Sequence, residues 1–299
     1  MILIDFSQIM KANMMMQISQ GVFGEREFRE LTFKSIRRYN KDHREKYGEI
    51  FICCDSKLNW RKLSFPQYKF KRKLDRDASD IDWTEAFRIF DLTLKNIYEY
   101  LPYKVISVTM AEADDIIGVL SRYMINKEGK LVPRNEPVLI VSGDKDFRAL
   151  QELDHVDQFC PREKKFLIEE NPTEYLKDLI LSGDKSDGVP NVLSPDDVFS
   201  DENKRQTTLT KKRRLELTEL MESGRFAEID PTIQQQIIRN RTMIDLRNTP
   251  KDIIVQILKQ SLYPVRGNMQ KTFNFLISSG INSLLDDIEG FRPRSITNG

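Results

Sequence analysis

Eight carboxylates carry the chemistry open to this chain, and each falls at the end of an apolar run or in the turn beside it. The clearest case is Val138-Leu139-Ile140-Val141, bounded by Pro137 and by Ser142-Gly143, with Asp144 and Asp146 directly after it. A short β-branched run closed by turn residues reads as a buried parallel strand. Open α/β sheets take their ligands at the carboxyl ends of such strands. Asp5, Asp55, Glu112, Asp114, Asp184 and Asp187 occupy similar positions elsewhere in the sequence. Gathered in one crevice, these groups would repel: two unit charges about 4 Å apart interact by roughly 4 kcal/mol at an effective dielectric of 20. Protonating them all would require large pKa shifts. Divalent cations with oxygen ligands relieve the repulsion at lower cost, and magnesium keeps several waters while doing so. A pair of such ions can clamp a phosphoryl displacement and acidify the attacking water, so no protein nucleophile is required.

The bulk composition restricts the alternatives. With 299 residues, 39% hydrophobic and 31% charged, the sequence has the make-up of a soluble globular protein of one large or two ordinary domains. It has no apolar stretch of spanning length, and no signal peptide is expected. Only two histidines, His43 and His155, are present, too few to build a zinc site or a Ser-His-Asp triad with any ease. Cys53, Cys54 and Cys160 are expected to be buried thiols. The net charge of +1 conceals a segregation of acids and bases along the chain.

The elements that must position the carboxylates can be traced in order. Met1–Ile4 is a first strand with Asp5 at its tip. Glu25–Lys46 has helical periodicity and stops at Gly48, and Ile50–Cys54 is a second strand ending on Asp55. Two strands joined by one helix form a right-handed unit, which places both tips on the same edge. Asp82–Leu101 reads as a helix stopped by Pro102, and Lys104–Val108 as a third strand. Glu112, Asp114 and Asp115 open another helix, beyond what a cap requires. Val156–Cys160 and Lys165–Ile168 suggest a hairpin, and Pro172–Ser182 a helix. This helix runs into Ser182–Val192, where Gly183 and Gly188 permit unusual backbone angles. Residues 193–210 are polar and irregular, the best candidate for a mobile loop, and the remainder reads as helical.

Between the second strand and its following helix lies the basic stretch Ser56–Asp77. Lys57, Arg61, Lys62, Lys69, Lys71, Arg72, Lys73 and Arg76 alternate there with Trp60, Phe65, Tyr68 and Phe70. A solvated helix face is the ordinary meaning of a charge run. Bases interleaved with aromatics beside an acidic centre also suit a strand of nucleic acid.

Taken in order, ILIDFSQI, FICCDSKLNWRK, FPQYKFKRK, AEADD, VSGDKDF and LSGDKSDGVPNV resemble the signature segments of the flap endonuclease and 5′-nuclease family. The likeness extends through NRTMIDL and LYPVRGNMQKTFNFL, toward the family's phage ribonuclease H branch, and covers essentially the whole chain. The resemblance implies an α/β fold: a PIN-like core with a mainly parallel central sheet, a helical arch at about 57–82 and a helix-three-turn-helix DNA clamp. It divides the chain into a metal-nuclease core over 1–182 and a helical DNA-binding part over 183–299. By the same analogy Asp5, Asp55, Glu112, Asp114 and Asp144 belong to a first metal cluster, and Asp146, Asp184 and Asp187 lean to a second. The cofactors implied are two Mg2+, with Mn2+ as a substitute. Lys69 and Arg72 would grip the scissile phosphate, acting in catalysis with Asp144 and Asp146. Tyr68 would stack near the 5′ end, and Arg61, Lys71, Gly183 and Gly188 would join the nucleic-acid contacts. Asp115 is assigned to support or capping. Relatives often hold a backbone-bound potassium after the clamp turn through a Gly-x-Gly; this chain has Asn191-Val192-Leu193-Ser194 there, so that ion is not carried over.

The function implied is a structure-dependent 5′-nuclease that removes RNA primers and flaps in phage DNA replication. Its substrates would be flapped or nicked duplex DNA and RNA–DNA hybrids. A single-stranded DNA-binding protein and a sliding clamp are the partners implied, with the enzyme monomeric, away from membranes, in the cytoplasm of an infected bacterium. An aspartate-nucleophile phosphatase would need Asp-x-Asp on the first strand, where Asp5 is followed by Phe6-Ser7. A nucleotide-sugar transferase would have no use for the Ser182–Val192 turn or the basic stretch. A non-catalytic nucleic-acid-binding scaffold of the same fold is the structural alternative.

Overall fold

A computed structural model describes residues 1–200 and 203–294. The strands are β1 (Ile2–Asp5), β2 (Ile50–Cys53), β3 (Lys104–Ile106), β4 (Tyr123–Ile125), β5 (Leu131–Pro133), β6 (Val138–Val141), β7 (Val156–Cys160) and β8 (Lys165–Leu167). The α-helices are α1 (Phe6–Ser19), α2 (Glu25–Tyr47), α3 (Trp60–Ser64), α4 (Phe70–Asp77), α5 (Trp83–Tyr100) and α6 (Ala113–Arg122). They continue with α7 (Pro172–Ser182), α8 (Lys211–Glu222), α9 (Pro231–Ile244), α10 (Lys251–Ser261) and α11 (Met269–Ser278).

Six strands form one sheet in the order β3-β2-β1-β6-β7-β8, parallel except for the final β7–β8 pair. β1 lies at its centre because Ile2, Leu3 and Ile4 have no exposed surface; fully burying each such side chain contributes about 1.5–3 kcal/mol. β2 and β6 flank it in register, Ile4 opposite both Ile52 and Val141, and are buried along their whole length. From β1 the chain winds outward through β2 and β3, then returns to β6 on the other side. The β1/β6 boundary is therefore the point where strand order reverses, which is where open α/β sheets form a ligand crevice. Helices α2 and α6 pack against the central strands through the buried side chains of Phe33, Ile36, Ile116 and Ile117.

Local chemistry sets the helix ends. Asp82 caps α5 by accepting from the Glu85 N–H at 3.0 Å, and Gly48 ends α2 at φ 88°. The third strand stops at Ile106, two residues short of the sequence expectation, and the antiparallel pair β4–β5 was not anticipated. Cys53, Cys54 and Cys160 are all buried and free, as the composition suggested. Among the described residues no helix is long and apolar enough to cross a membrane.

The chain divides into two compact units that do not follow a single cut in the sequence. The first comprises Met1–Lys57, Asp82–Ile168 and the described chain from Lys251 on, and so contains the whole sheet. The second comprises Leu58–Ile81 and Glu169–Pro250. The basic stretch thus belongs with α7, α8 and α9, and the last helices belong with the sheet. The described residues of 193–210 form neither helix nor strand, and residues 201–202 of that expected mobile loop lie outside the described chain.

Candidate metal centre and nucleic-acid interface

In the sheet unit, three of the expected carboxylates follow three neighbouring parallel strands. Asp5 ends β1 and caps α1, its Oδ1 accepting from the Gln8 N–H at 3.1 Å and its Oδ2 from the Ser142 hydroxyl at 3.1 Å. Asp55 lies just beyond β2; its Oδ2 accepts from the Ser7 hydroxyl at 2.6 Å and its Oδ1 from the Ala113 N–H at 2.8 Å. Asp144 follows β6 and caps the short 3-10 helix Lys145–Glu152, accepting from the Asp146 N–H at 3.1 Å. All these donors are neutral, so they orient the carboxylates without cancelling their charge. Burial, and then the neighbouring charges of Asp55 and Asp144, push the Asp5 carboxyl from 3.8 up to about 6. Divalent cations are the chemical complement of such a donor set.

Glu112 and Asp114 enter the same unit at the start of α6. Glu112 is the N-cap, and its N–H donates to Asp115 Oδ2 at 2.9 Å, closing a capping box. Asp115 is fully buried in that role, and Asp114 sits in the first turn. Because Asp55 receives the Ala113 N–H, the tip of β2 is tied to the beginning of α6.

Sequence reasoning missed the side chains that hold this centre in shape. Ser142 donates to Asp5 and accepts from the Asp144 N–H at 3.1 Å, joining the tips of β1 and β6. Gln158, fully buried on β7, donates to the carbonyls of Ser142 at 3.0 Å and Asp144 at 2.7 Å. Gln8 accepts from the Gly143 N–H at 2.5 Å. The available signal was alternation along β7, which puts Gln158 on the same buried face as Val156 and Cys160.

The raised Asp5 pKa has a consequence for stability. Its folded state binds a proton more tightly than the unfolded chain, so this group's contribution falls as pH rises from about 4 to about 6, and the penalty is complete above 6. Asp5→Asn keeps the carbonyl oxygen that caps α1 and removes the charge. At pH 8 in chelator it should therefore be more stable than the parent by about 1–3 kcal/mol. The gain should vanish near pH 4. Thermal unfolding at both pH values measures it, and an unchanged or lower melting temperature at pH 8 would contradict the assignment.

In the second unit, Asp187 is the centre of a separate group. Arg72 Nη2 lies 2.5 Å from its Oδ1, the Tyr68 hydroxyl donates to Oδ2 at 2.9 Å, and Lys69 Nζ stands 3.5 Å from Oδ2. The Lys69 N–H also donates to the Asp187 carbonyl at 2.7 Å, which holds Lys69 in a left-handed conformation at φ 55°. Lys69 and Arg72 are thus brought to one carboxylate, with Lys69 standing before helix α4 as its N-cap. Asp184 caps the adjoining turn through the Ser186 N–H and hydroxyl at 2.9 and 2.6 Å.

Other expected contacts are corrected. Arg61 is 1% exposed, its Nε donating to the Met243 carbonyl at 2.9 Å and its guanidinium stacked 4.6 Å over the Trp60 ring. It has no surface to offer a phosphate, because helix α9 claims it. Tyr68 is 2% exposed and cannot present its ring to a base, whereas Phe70, two residues on, is 48% exposed beside the exposed Lys71. The turn at 183–192, whose Gly183 and Gly188 were expected to join the nucleic-acid contacts, spends most of its N–H groups internally. Gly183, Ser186, Asp187, Gly188, Val189, Asn191 and Val192 all donate to neighbouring backbone or side-chain oxygens.

The two glycines of that turn are required by close approach. A Cβ at Gly183 would lie 2.4 Å from the Val189 and Pro190 carbonyl oxygens, with φ at +69°. A Cβ at Gly188 would meet the Gln67 carbonyl oxygen at 2.9 Å, with φ at +72°. A left-handed residue other than glycine costs about 1–2 kcal/mol before any clash. Gly188→Ala should therefore lower stability in denaturant unfolding by about 2 kcal/mol or more. A loss below about 0.5 kcal/mol, typical of ordinary surface changes, would show that the turn relaxes freely.

These features define a PIN-like α/β nuclease fold. A family model described as the 5′-3′ exonuclease, N-terminal resolvase-like domain, matches residues 9–176, and the chain belongs to this flap endonuclease and 5′-nuclease family of metal-dependent nucleases. It is 26% identical to the Ribonuclease H of enterobacteria phage T4, over 97% of this chain and 95% of that protein. It is 32% identical over 162 residues to a 5′-3′ exonuclease of Buchnera aphidicola, covering 51% of this chain and 50% of the relative. Among solved structures, a bacteriophage T5 5′-exonuclease with bound zinc ions superposes with a TM-score of 0.58 at 15% identity, over 88% of this chain and 98% of the other. A bacteriophage T5 flap endonuclease in a pseudo-enzyme-product complex with DNA and metal ions gives 0.57 at 14% identity, over 93% and 98%. At those identities the superpositions speak for the fold.

Proposed function

We propose that this chain is a structure-dependent 5′-nuclease with 5′ to 3′ exonuclease, flap endonuclease and ribonuclease H action. It would remove RNA primers and flaps during phage DNA replication by two-metal phosphodiester hydrolysis. The observation that carries this reading is that Asp5, Asp55 and Asp144 follow the neighbouring parallel strands β1, β2 and β6, accept from neutral donors, and lie near enough for the charges of Asp55 and Asp144 to raise the Asp5 carboxyl. Bound there, divalent ions supply an activated water and stabilise charge on the phosphoryl oxygens. Asp5, Asp55, Glu112, Asp114 and Asp144 hold the first ion, and Ser7, Gln8, Ser142 and Gln158 keep these ligands or their loop in place. Asp146, Asp184 and Asp187 serve the second. Lys69 and Arg72 present positive charge to the scissile phosphate, and the exposed ring of Phe70 takes the base contact first given to Tyr68. Magnesium is the ion proposed, with manganese as its substitute. The setting is the cytoplasm of an infected bacterium, with the enzyme acting as a monomer beside a single-stranded DNA-binding protein and a sliding clamp.

End-labelled 5′-flap, nicked-duplex and RNA–DNA hybrid substrates test the reading directly. Cleavage from the 5′ end should occur with magnesium or manganese and cease in excess chelator. Binding without cleavage under every divalent ion would leave a non-catalytic scaffold instead, and full turnover in chelator would remove the metal mechanism.

A further inference from the structure

Helix α9 directs a buried cation into the turn at 183–192. Arg239 has a side chain only 10% exposed, and its Nη2 donates to the Pro190 carbonyl at 2.9 Å. Its Nε donates to Asn240 Oδ1 at 2.9 Å, its Nη1 pairs with Asp196 and Gln236, and its guanidinium lies 5.5 Å over the buried Phe65 ring. Asn240 has no exposed surface, and its Nδ2 also donates to the Pro190 carbonyl at 2.9 Å and to the Ile180 carbonyl at 2.7 Å. A carbonyl oxygen has two lone pairs, and both of Pro190's are engaged. The segment after the turn is equally self-contained. Asn191 Oδ1 accepts from the Leu193 N–H at 3.0 Å and the Ser194 hydroxyl at 2.9 Å, while Nδ2 donates to the Thr207 carbonyl at 2.8 Å.

These residues do not fit a backbone-bound potassium ion. Such an ion needs carbonyl oxygens with free lone pairs, and here a positive charge of the chain's own already occupies the Pro190 carbonyl. We propose that Arg239 is a positioning residue for duplex binding, a built-in cation that sets the shape of the clamp turn without any monovalent ion. The inference rests on the nuclease reading above and on the family resemblance, which implies that Gly183 and Gly188 of this turn join the nucleic-acid contacts.

Its test is the affinity of the full chain for nicked duplex DNA in calcium, measured in potassium, sodium and tetramethylammonium chloride at one ionic strength. Constant ionic strength removes the general counter-ion effect. The parent protein should bind equally in all three salts, within about twofold, because screening is the same in each. Arg239→Gln should bind about tenfold more weakly in tetramethylammonium, the loss expected for a charge-assisted hydrogen bond, and recover part of it in potassium. Arg239→Lys, which keeps the charge, should fall between the two. Recovery by potassium separates positioning from a simple folding defect, which no choice of monovalent ion would repair. A parent protein that binds several-fold more tightly in potassium overturns the proposal, as does a folded Arg239→Gln protein that matches the parent in every salt. Failure to bind duplex DNA in any salt would instead overturn the nuclease reading, and this inference with it.

Discussion

Asp144→Asn should cut single-turnover cleavage of a 5′-flap substrate by about 10²–10³-fold or more, the scale expected when a transition-state electrostatic contribution is lost. Affinity for the same substrate in calcium should change far less, because charge develops on the phosphoryl oxygens only as the bond breaks. The structure makes this a clean substitution. Asp144 Oδ1 accepts the Asp146 N–H that starts the 3-10 helix, and an asparagine carbonyl can accept it equally well. The Ser142 and Gln158 hydrogen bonds to the Asp144 backbone are untouched by the change. A large drop in rate with little change in melting temperature would therefore report on ion binding and chemistry, with folding left aside. A rate within tenfold of the parent would take Asp144 out of the metal-holding set.

Arg72→Ala and Lys69→Ala should each slow cleavage by about 10²-fold or more if these cations meet the scissile phosphate. Substrate affinity should fall less, since each lost phosphate contact accounts for only about one unit of salt slope. The two effects should not add, because both side chains share Asp187 at 2.5 and 3.5 Å. Tyr68→Phe supplies the control: it removes the hydroxyl that hydrogen-bonds Asp187 and should change stability by about 1 kcal/mol, with little effect on rate. Parent-like cleavage by both cation variants would return the stretch to a plain surface helix.

The tips of β1, β2 and β6 were legible because each is a short apolar run that stops on a turn and a carboxylate, a purely local signal. The helix Pro172–Ser182 was legible in the same way, from a proline at its start and a glycine just past its end. The roles of Arg61 and Tyr68 were not legible. Their burial depends on the Met243 carbonyl and the Asp187 carboxylate, 182 and 119 residues further along the chain. No window of sequence contains both partners. For the same reason the N–H groups of the 183–192 turn looked available, since Gln206 and the Leu181 carbonyl, which engage two of them, carry no motif. Gln158 escaped notice because a polar residue on a strand is usually placed on the solvent face, whereas here both of its donors are spent on the loop after β6.

The interleaving of the two units also bears on how the chain can be made. Leu58–Ile81 must find partners that begin at Glu169, and the sheet unit is completed only by residues from Lys251 on. The second unit is therefore whole only in a stretch running from Leu58 to Pro250, and the sheet unit only in one that runs from Met1 past Lys251. Closing so long a loop adds entropy only logarithmically, so the finished protein bears a modest penalty. The kinetic cost is larger, because contacts distant in sequence slow folding. While the chain emerges from the ribosome, the strands ending at Asp5, Asp55 and Asp144 are synthesised well before the helices that complete their unit. A nascent chain halted near residue 182 should consequently be sensitive to protease throughout, and resistance of the sheet unit should appear only once the residues from Lys251 on have emerged.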